Sequence, residues 1–307
     1  MRVFVAGGSG AIGRRLIPML IEAGHEVTAM TRSEGSAEAI RATGALTAVV
    51  DVYDAEALTE AVRAARPDAV IHQLTALPHR VEPRKRGLYD ATNRLRTEGT
   101  RNLLAAARDA GARRFVCQSI AFAYPAGGDR VKDEDAPLAL DAPEPFGTAV
   151  RAVKEMEDAV LEAGGIVLRF GWFYGPGTFY GKGGSAEADV RRRRFPVIGR
   201  GDGIFSFIHV GDAASATVAA LEHDGPAVFN VVDDEPAPMR DWLPAYAEAI
   251  GAKPPRRVPV WLAKLLAGGM VAAMAALPGA TNARAKERLG WRPRWASWRQ
   301  GFRDAPR

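Results

Sequence analysis

The chain has 307 residues, with 41 Lys and Arg against 36 Asp and Glu, a formal charge of +5 and a pI of about 9.5. This length can bury a large core, and the mild basicity lacks the polybasic blocks of a dedicated nucleic-acid binder. The single cysteine, Cys117, excludes an intrachain disulfide and a multi-cysteine metal site. We therefore expect no nucleic-acid partner and no metal. Fold-forming sequence begins at residue 2 with no signal peptide before it, so a cytoplasmic location is expected.

The first feature in chain order is a short apolar strand, a glycine turn and an amphipathic helix between residues 2 and 23. The turn has the spacing Gly-x-x-Gly-x-x-Gly. Glycines let backbone N–H groups approach a pyrophosphate at the positive end of a helix, because a Cβ would block that approach. The turn thus predicts nucleotide binding rather than a plain strand–helix junction. The predicted cofactor contacts are Gly7, Ser9, Gly10, Ala11, Ile12 and Gly13.

A basic residue follows the second predicted strand, 25–30, at Arg32, with Ser33 beside it. A dinucleotide fold that takes NAD usually places a carboxylate here to bind the ribose 2′-OH. A guanidinium and a hydroxyl suit a 2′-phosphate instead, although Arg32 could also be a solvated loop residue. We therefore expect NADP(H) to be preferred, with NAD(H) possible.

Strands and helices continue to alternate up to residue 119. Further strands are predicted at 46–50, 67–72 and 113–119, and helices at 37–43, 53–65 and 93–110. This rhythm predicts right-handed crossovers and an α/β fold with a doubly wound parallel sheet. Asp51, followed by Val52, ends the third strand, where a carboxylate could meet the adenine amino group. Leu74, Thr75 and Ala76 follow the fourth strand, at the rim where the second half of a dinucleotide would lie.

Several further motifs accompany the glycine turn. They are the segment 71–76, Asn93 before 99–103, and the segments 168–176, 207–212, 229–233 and 289–293. With these motifs the chain resembles, from end to end, the extended short-chain dehydrogenase/reductase family, in its NAD(P)-dependent epimerase/dehydratase branch. The resemblance implies an NAD(P)-binding Rossmann domain in 1–170, with segments around 205–232 packing back onto it. It also implies a smaller, mainly helical substrate region in 171–307, cofactor contacts from Asn93, Phe170 and Trp172, and a possible homodimer.

The tyrosine on which the family's chemistry depends is missing. Hydride transfer to a carbonyl leaves a developing alkoxide, and the family protonates it with a tyrosine whose pKa is lowered by a lysine four residues later. None of the six tyrosines has a lysine at that spacing. Anchoring the motif on Lys154 places Val150 in the tyrosine position, and anchoring it on Pro145 places Phe146 there.

The family's substrate-binding hydroxyl is also displaced. It falls on Ile120, and Ser119 is one residue short, so on a strand its side chain points to the opposite face. The remaining catalytic candidates are Ser119, Tyr124 and Lys154. Lys154 could hold the nicotinamide ribose, or it could be an ordinary surface lysine.

Three interpretations of this loss remain open. In the first, another group supplies the proton: Tyr124, Tyr174, a water or the substrate itself. In the second, the protein binds NADP(H) as a sensor or regulator without turnover. In the third, the reaction needs no acid at the usual place, as in hydride addition to an activated ring or conjugated system.

These arguments favour an NADP(H)-dependent oxidoreductase that transfers a hydride to a small, apolar carbonyl or conjugated substrate with a non-standard proton donor. A sugar-nucleotide epimerase or dehydratase remains a further alternative. Phe170, Trp172 and Phe173 would form an apolar wall at the nicotinamide end, and Trp172 stands where relatives usually have asparagine. This wall indicates a hydrophobic or aromatic substrate, although core packing would also use such rings.

Two other segments have a structural interpretation. His209 and Asp212 resemble the family's strand-to-helix junction and are expected to cap a helix. The apolar run 258–277 is interrupted by Pro259, Gly268 and Gly269. It is expected to form one or two helices that line the substrate pocket, with no stable membrane insertion.

Overall fold

The computed structural model describes residues 1–77, 87–267 and 274–304. The strands, in chain order, are β1 (Arg2–Ala6), β2 (Glu26–Thr31), β3 (Leu46–Val49), β4 (Ala69–His72), β5 (Arg114–Ile120), β6 (Val131–Lys132), β7 (Ile166–Phe170), β8 (Trp172–Tyr174), β9 (Val197–Ile198), β10 (Ile204–Phe205), β11 (Phe207–His209), β12 (Ala227–Val231), β13 (Ala237–Pro238), β14 (Arg257–Val258) and β15 (Gly279–Ala280). The helices are α1 (Gly13–Glu22), α2 (Glu34–Arg41), α3 (Ala55–Ala65), α4 (Asp90–Arg94), α5 (Thr100–Asp109), α6 (Phe146–Glu162), α7 (Ser185–Arg191), α8 (Val210–Ala220), α9 (Met239–Ala249), α10 (Val260–Ala267), α11 (Ala283–Arg288) and α12 (Trp298–Asp304). A π-helical turn, Leu95–Gly99, joins α4 to α5.

The centre of the fold is a seven-stranded parallel sheet in the order β12-β7-β5-β4-β1-β2-β3. Its inner strands are apolar and almost fully buried, as expected when helices cover both faces. Helices α1 and α8 pack together on one face, and α3, α5 and α6 lie on the other. The predicted doubly wound α/β fold is confirmed. The strand order reverses between β1 and β4, where such sheets bind ligands beyond their carboxyl ends.

Two helices begin earlier than their sequence predicts. Helix α2 begins at Glu34 instead of 37, because the Oγ of Ser33 accepts a hydrogen bond from the backbone N–H of Ser36 at 3.4 Å and caps the helix. The predicted helix 93–110 begins at Asp90 and is divided by the π-helical turn, a feature that often accompanies functional sites.

An aromatic core in the C-terminal half holds the smaller elements together. Its buried members include Tyr180, Phe207, Trp242 and Trp298. The ring pairs are mostly edge-to-face, such as Tyr180–Trp242 with centroids 5.6 Å apart and an interplanar angle of 86°. Helix α12 packs against α9 and the end of β11 in this core, while β12 returns to the main sheet beside β7. Residues 268–273 of the apolar run lie outside the described residues, and no described helix is long and apolar enough to cross a membrane.

Candidate active site

The glycine turn packs so tightly that two of its positions have no room for a side chain. Gly7 has φ of +100°, and a Cβ there would lie 2.7 Å from the carbonyl oxygen of Gln73, just beyond β4. A Cβ on Gly13 would lie 2.4 Å from the carbonyl oxygen of Gly7. Gly10 is exposed, and its N–H donates to that same Gly7 oxygen at 3.1 Å. The turn therefore presents bare backbone at the start of α1, as a pyrophosphate requires.

The electrostatics of this turn also suit an anion. Helix α1 has no side-chain cap and no acidic residue in its first turn, which instead carries Arg14 and Arg15. Cations are unfavourable at a helix N-terminus. Burial, aided by the neighbouring Arg14 charge, lowers the pKa of Arg15. The Arg14 side chain donates to the Ser9 carbonyl at 2.9 Å and Arg15 to the Ala11 carbonyl at 3.1 Å. The residues present therefore fit the diphosphate of a dinucleotide.

A cavity of about 180 Å³ lies between the glycine turn and α2. Its lining residues are Gly8, Ser9, Arg14, Ile17, Ser36, Ala39, Ile40 and Thr43, with no carboxylate among them. Arg32 and Ser33 are exposed at the end of β2, at the start of the same helix. Arg14 and Ser36 were missed from the sequence. Ser36 could have been found from its spacing, because it lies three residues after Ser33, the residue that caps α2.

The predicted contacts after β3 and β4 occupy different kinds of position. Asp51 is exposed, and its Oδ1 accepts from the N–H of Tyr53 at 3.0 Å. Val52 is buried, and its carbonyl oxygen accepts from Asn102 at 2.9 Å. Thr75 is exposed at the rim after β4.

Buried polar groups hold the rim after β4 in place. The Nδ1 of His72 accepts from the N–H of Leu74 at 3.1 Å, and the Oγ1 of Thr92 accepts from the N–H of Ala76 at 3.2 Å. Burial lowers the pKa of His72 to about 4, so this imidazole is neutral at pH 7. Asn93, one residue beyond Thr92, accepts from Arg96 at 3.3 Å.

Lys154 forms an exposed ion pair on α6. Its Nζ is 2.6 Å from Oδ2 of Asp158, one turn further along the helix, and both side chains are about half exposed. Among the described contacts, none joins Lys154 to Ser119 or Tyr124. This geometry favours the alternative interpretation of Lys154 as a surface lysine.

Ser119 and Tyr124 are brought together by a buried ion pair that sequence reasoning missed. The Nε and Nη2 atoms of Arg169 donate to Glu157 at 2.9 and 2.6 Å. Ser119 donates to the same carboxylate at 2.5 Å. The Nη1 of Arg169 donates to the hydroxyl of Tyr124 at 2.9 Å, and this hydroxyl donates to Asn230 at 2.8 Å. The available signal was the arginine itself, a charge within an apolar strand that requires a counter-charge.

These hydrogen bonds leave both hydroxyls poorly suited to proton transfer. The Tyr124 proton is directed at Asn230, and burial raises the pKa of this phenol despite the nearby Arg169. The Ser119 hydroxyl points towards α6 and is consumed by Glu157. Neither group is arranged as the neutral-pH acid that carbonyl reduction needs.

Hydrocarbon fills the positions where the family pattern expects hydroxyls. Val150 is fully buried in a cluster with Val153 and Tyr124, and Ile120 and Phe146 pack against this cluster. The replacement therefore forms a packed apolar layer. It does not merely leave a gap in the site.

Aromatic rings from the carboxyl ends of neighbouring strands meet beside this layer. Phe122 follows β5 and stacks on Trp172, with centroids 4.1 Å apart and planes 18° from parallel. Both rings are partly exposed, whereas Phe170 is fully buried in the main core. The Nε1 of Trp172 is buried without a hydrogen-bond partner among the described residues. Phe122 was missed from the sequence, because it lies in the turn beyond β5, outside the alternating pattern of the strand.

His209 caps α8 as expected, whereas Asp212 holds the backbone of residues 294–295 and does not cap the helix. The Nδ1 of His209 accepts from the N–H of Gly211 at 3.1 Å, and Asp212 accepts from the N–H groups of Arg294 and Trp295, each at 2.9 Å. Burial lowers the pKa of His209 to about 4. Across the described ranges, no group of three or more His, Cys, Asp or Glu residues could hold a metal ion.

Comparison with known proteins identifies the class. The model of the NAD dependent epimerase/dehydratase family matches residues 3–231, and the chain belongs to this family. It is 48% identical to a 3-diazoavenalumate denitrifying reductase from Streptomyces sp, over 98% of this chain and 99% of the relative. It is 30% identical to a 4-hydroxy-2-methyl-3-oxo-4-farnesyl-3,4-dihydroquinoline-1-oxide ketoreductase from Stigmatella aurantiaca, over 82% of this chain and 74% of the relative.

The solved structures agree on the fold. UDP-glucose 4-epimerase from Thermotoga maritima superimposes with a TM-score of 0.78 at 22% identity, covering 99% of this chain and 97% of the epimerase chain. Because three relatives that match most of this chain are named as reductases, the chain is an NAD(P)-dependent oxidoreductase of the epimerase/dehydratase family.

We predict that Glu157→Gln strongly destabilises the protein, because it leaves the buried Arg169 guanidinium without its counter-charge. The free energy of unfolding, measured by urea denaturation, should fall by about 3 to 5 kcal/mol. The matched control is Asp158→Asn, which breaks the exposed pair with Lys154 on the same helix. That variant should lose no more than about 1 kcal/mol. Equal losses in the two variants would contradict the importance of the buried pair.

Proposed function

We propose that this protein is an NADPH-dependent reductase that delivers a hydride to an aromatic diazo compound, which then loses its nitrogen as N₂. The observation that carries the proposal is the apolar layer at Val150 and Ile120, with Tyr124 tied to Arg169 and Asn230. A site built in this way suits a substrate that accepts a hydride without needing a proton.

An arenediazonium cation meets that requirement. A reduced nicotinamide, when bound, supplies one hydride. Added to the terminal nitrogen of the cation, the hydride gives a neutral aryldiazene. The aryldiazene then loses its N–H proton and its carbon–nitrogen bond breaks, which releases N₂ and leaves the electron pair on the ring carbon, where a proton adds. One proton is lost and one is gained in this second stage. The hydride cancels the positive charge of the diazonium, so the overall step takes up no proton. Carbonyl reduction differs because its alkoxide must be protonated.

The chain's own residues would bind and shield such a substrate. Phe122 and Trp172 form a partly exposed aromatic stack, which favours a flat aromatic group and can attract a cationic one. Val150, Ile120 and Phe146 exclude water, which would otherwise convert a diazonium to a phenol. The name of the Streptomyces relative describes the reduction of a diazo carboxylate with loss of nitrogen, and this supports the same substrate class here.

The preference for NADPH rests on the cavity between the glycine turn and α2. Ser9, Arg14 and Ser36 line it, and Arg32 is exposed at the end of β2. Hydroxyls and guanidinium groups suit the 2′-phosphate of NADP(H), whereas binding of the NAD ribose relies on a carboxylate.

We predict that the double variant Arg14→Gln, Arg32→Gln binds NADPH about 10- to 100-fold more weakly, because it loses charge-assisted hydrogen bonds to the 2′-phosphate. The NADH dissociation constant should change far less, and both can be measured by nicotinamide fluorescence. Arg41→Gln, a surface change at the far end of α2, is the control and should bind NADPH normally. Equal weakening for both dinucleotides would place the arginines elsewhere on the cofactor.

The reaction itself is tested with benzenediazonium and NADPH carrying deuterium at C4. We predict N₂ release, oxidation of one NADPH per N₂, and slower turnover with the deuterated cofactor, because hydride transfer breaks its C4–D bond. In D₂O with unlabelled NADPH, the arene should carry deuterium on the ring carbon, because the N–H of an aryldiazene exchanges with solvent before N₂ is lost. Turnover of ketones but not of the diazonium would favour the carbonyl-reductase alternative. Tight NADPH binding with no oxidation of NADPH by either substrate class would favour a sensor.

A further inference from the structure

Arg96 is a half-buried cation that plays no part in the interactions of the site described above, apart from its hydrogen bond to Asn93. It lies on the π-helical turn between α4 and α5 and packs with that turn against α6. Its Nη1 donates to Asn93 at 3.3 Å, the hydrogen bond that the structure gives this guanidinium. An arginine carries five N–H donors, so most of its hydrogen-bonding capacity is available to a ligand.

The surroundings of Arg96 leave its charge uncompensated. Its neighbours include Tyr89 and Cys117, both uncharged at neutral pH, and the more distant Glu157. No carboxylate among the described residues lies within 4 Å of the guanidinium. Glu157 is already bound in bidentate fashion by Arg169. Burial lowers the pKa of Arg96 to about 10, so it remains protonated at neutral pH at a cost in solvation.

The position of Arg96 places this charge beside the candidate active site. The preceding turn, through Thr92, is hydrogen-bonded to the rim residue Ala76. The facing helix, α6, contributes the apolar Val150 and Val153 to the layer described above. The turn that carries Arg96 therefore packs against the helix that bounds the site, close in sequence to the residue that holds the rim after β4.

We propose that Arg96 binds the carboxylate of an aromatic acid, and that this acid is the substrate class of the enzyme. The inference takes the aromatic, diazo-bearing part of the substrate from the proposed function and adds the anionic group. A guanidinium in a half-buried site matches a carboxylate in charge and in its planar two-point geometry. The carboxylate would fill the donors that Asn93 leaves open, while the ring lies against Phe122 and Trp172.

The test is titration calorimetry of the NADP⁺-saturated enzyme with cinnamate and with cinnamamide, two stable compounds of nearly equal shape that differ in charge. The wild-type enzyme should bind cinnamate about 10- to 100-fold more tightly than cinnamamide, the range expected for a charge-assisted pair. Arg96→Gln should bind both compounds with the same low affinity. Arg101→Gln, an exposed change on α5, should behave as wild type.

Two further measurements keep the test decisive. The NADP⁺ dissociation constant and thermal unfolding of Arg96→Gln report whether it is folded. If it is not, Arg96→Lys should still weaken cinnamate binding several-fold without affecting cinnamamide, because a lysine keeps the charge but loses the fork. A variant that retains the preference for cinnamate, or a wild-type enzyme that shows none, would overturn the inference. Binding of cinnamate through Arg96 without N₂ release from a diazonium would instead overturn only the proposed function.

Discussion

The buried ion pair between Arg169 and Glu157 is the interaction on which the architecture of the site depends. The two side chains are 7% and 2% exposed, so each would carry a large desolvation cost without the other. The pair joins β7 to α6, and its remaining contacts extend to Ser119 on β5 and, through Tyr124, to Asn230 on β12. Four elements separated along the chain are thus fixed around one guanidinium, directly beneath the edge where the substrate must lie.

The same pair determines which chemistry the site can support. The ion pair holds the hydroxyls of Ser119 and Tyr124 in hydrogen bonds, whereas the neighbouring Ile120 and Phe122 stay partly exposed. The presence of Val150 in place of the family's tyrosine is consistent with this arrangement, because a tyrosine there would have to place its phenol in an apolar cluster. The site has therefore not simply lost one acid. The layer around Val150 is apolar, and this agrees with a substrate that supplies its own electrophile.

The fold could be predicted from the sequence because its signals are local. Gly7 and Gly13 act within one turn, and apolar strands alternate with amphipathic helices at short intervals. The site was harder to predict, because it depends on the orientation of side chains and on contacts between residues that are far apart in the sequence. Successive residues of a helix point about 100 degrees apart around its axis. Whether Lys154 or one of its neighbours faces the site therefore could not be decided without knowing how α6 packs. Likewise, the sequence does not say that Glu157 and Arg169, on different elements, share one buried position.

The distribution of positive charge connects the two proposed ligands. Arginines occupy two positions where a positive charge without a nearby anion is unfavourable. These are the N-terminal turn of α1 and the half-buried position of Arg96. The first would be offset by the 2′-phosphate of the cofactor and the second by the carboxylate of the substrate. A diazonium carboxylate enters with no net charge, and reduction removes only its cationic group. A site with excess positive charge repels the diazonium group in the ground state. The repulsion weakens in the transition state, where the incoming hydride has partly neutralised that group, and such a difference between ground state and transition state accelerates a reaction. The cations that hold the ligands would then also favour the hydride transfer, without any acid at the position of the missing tyrosine.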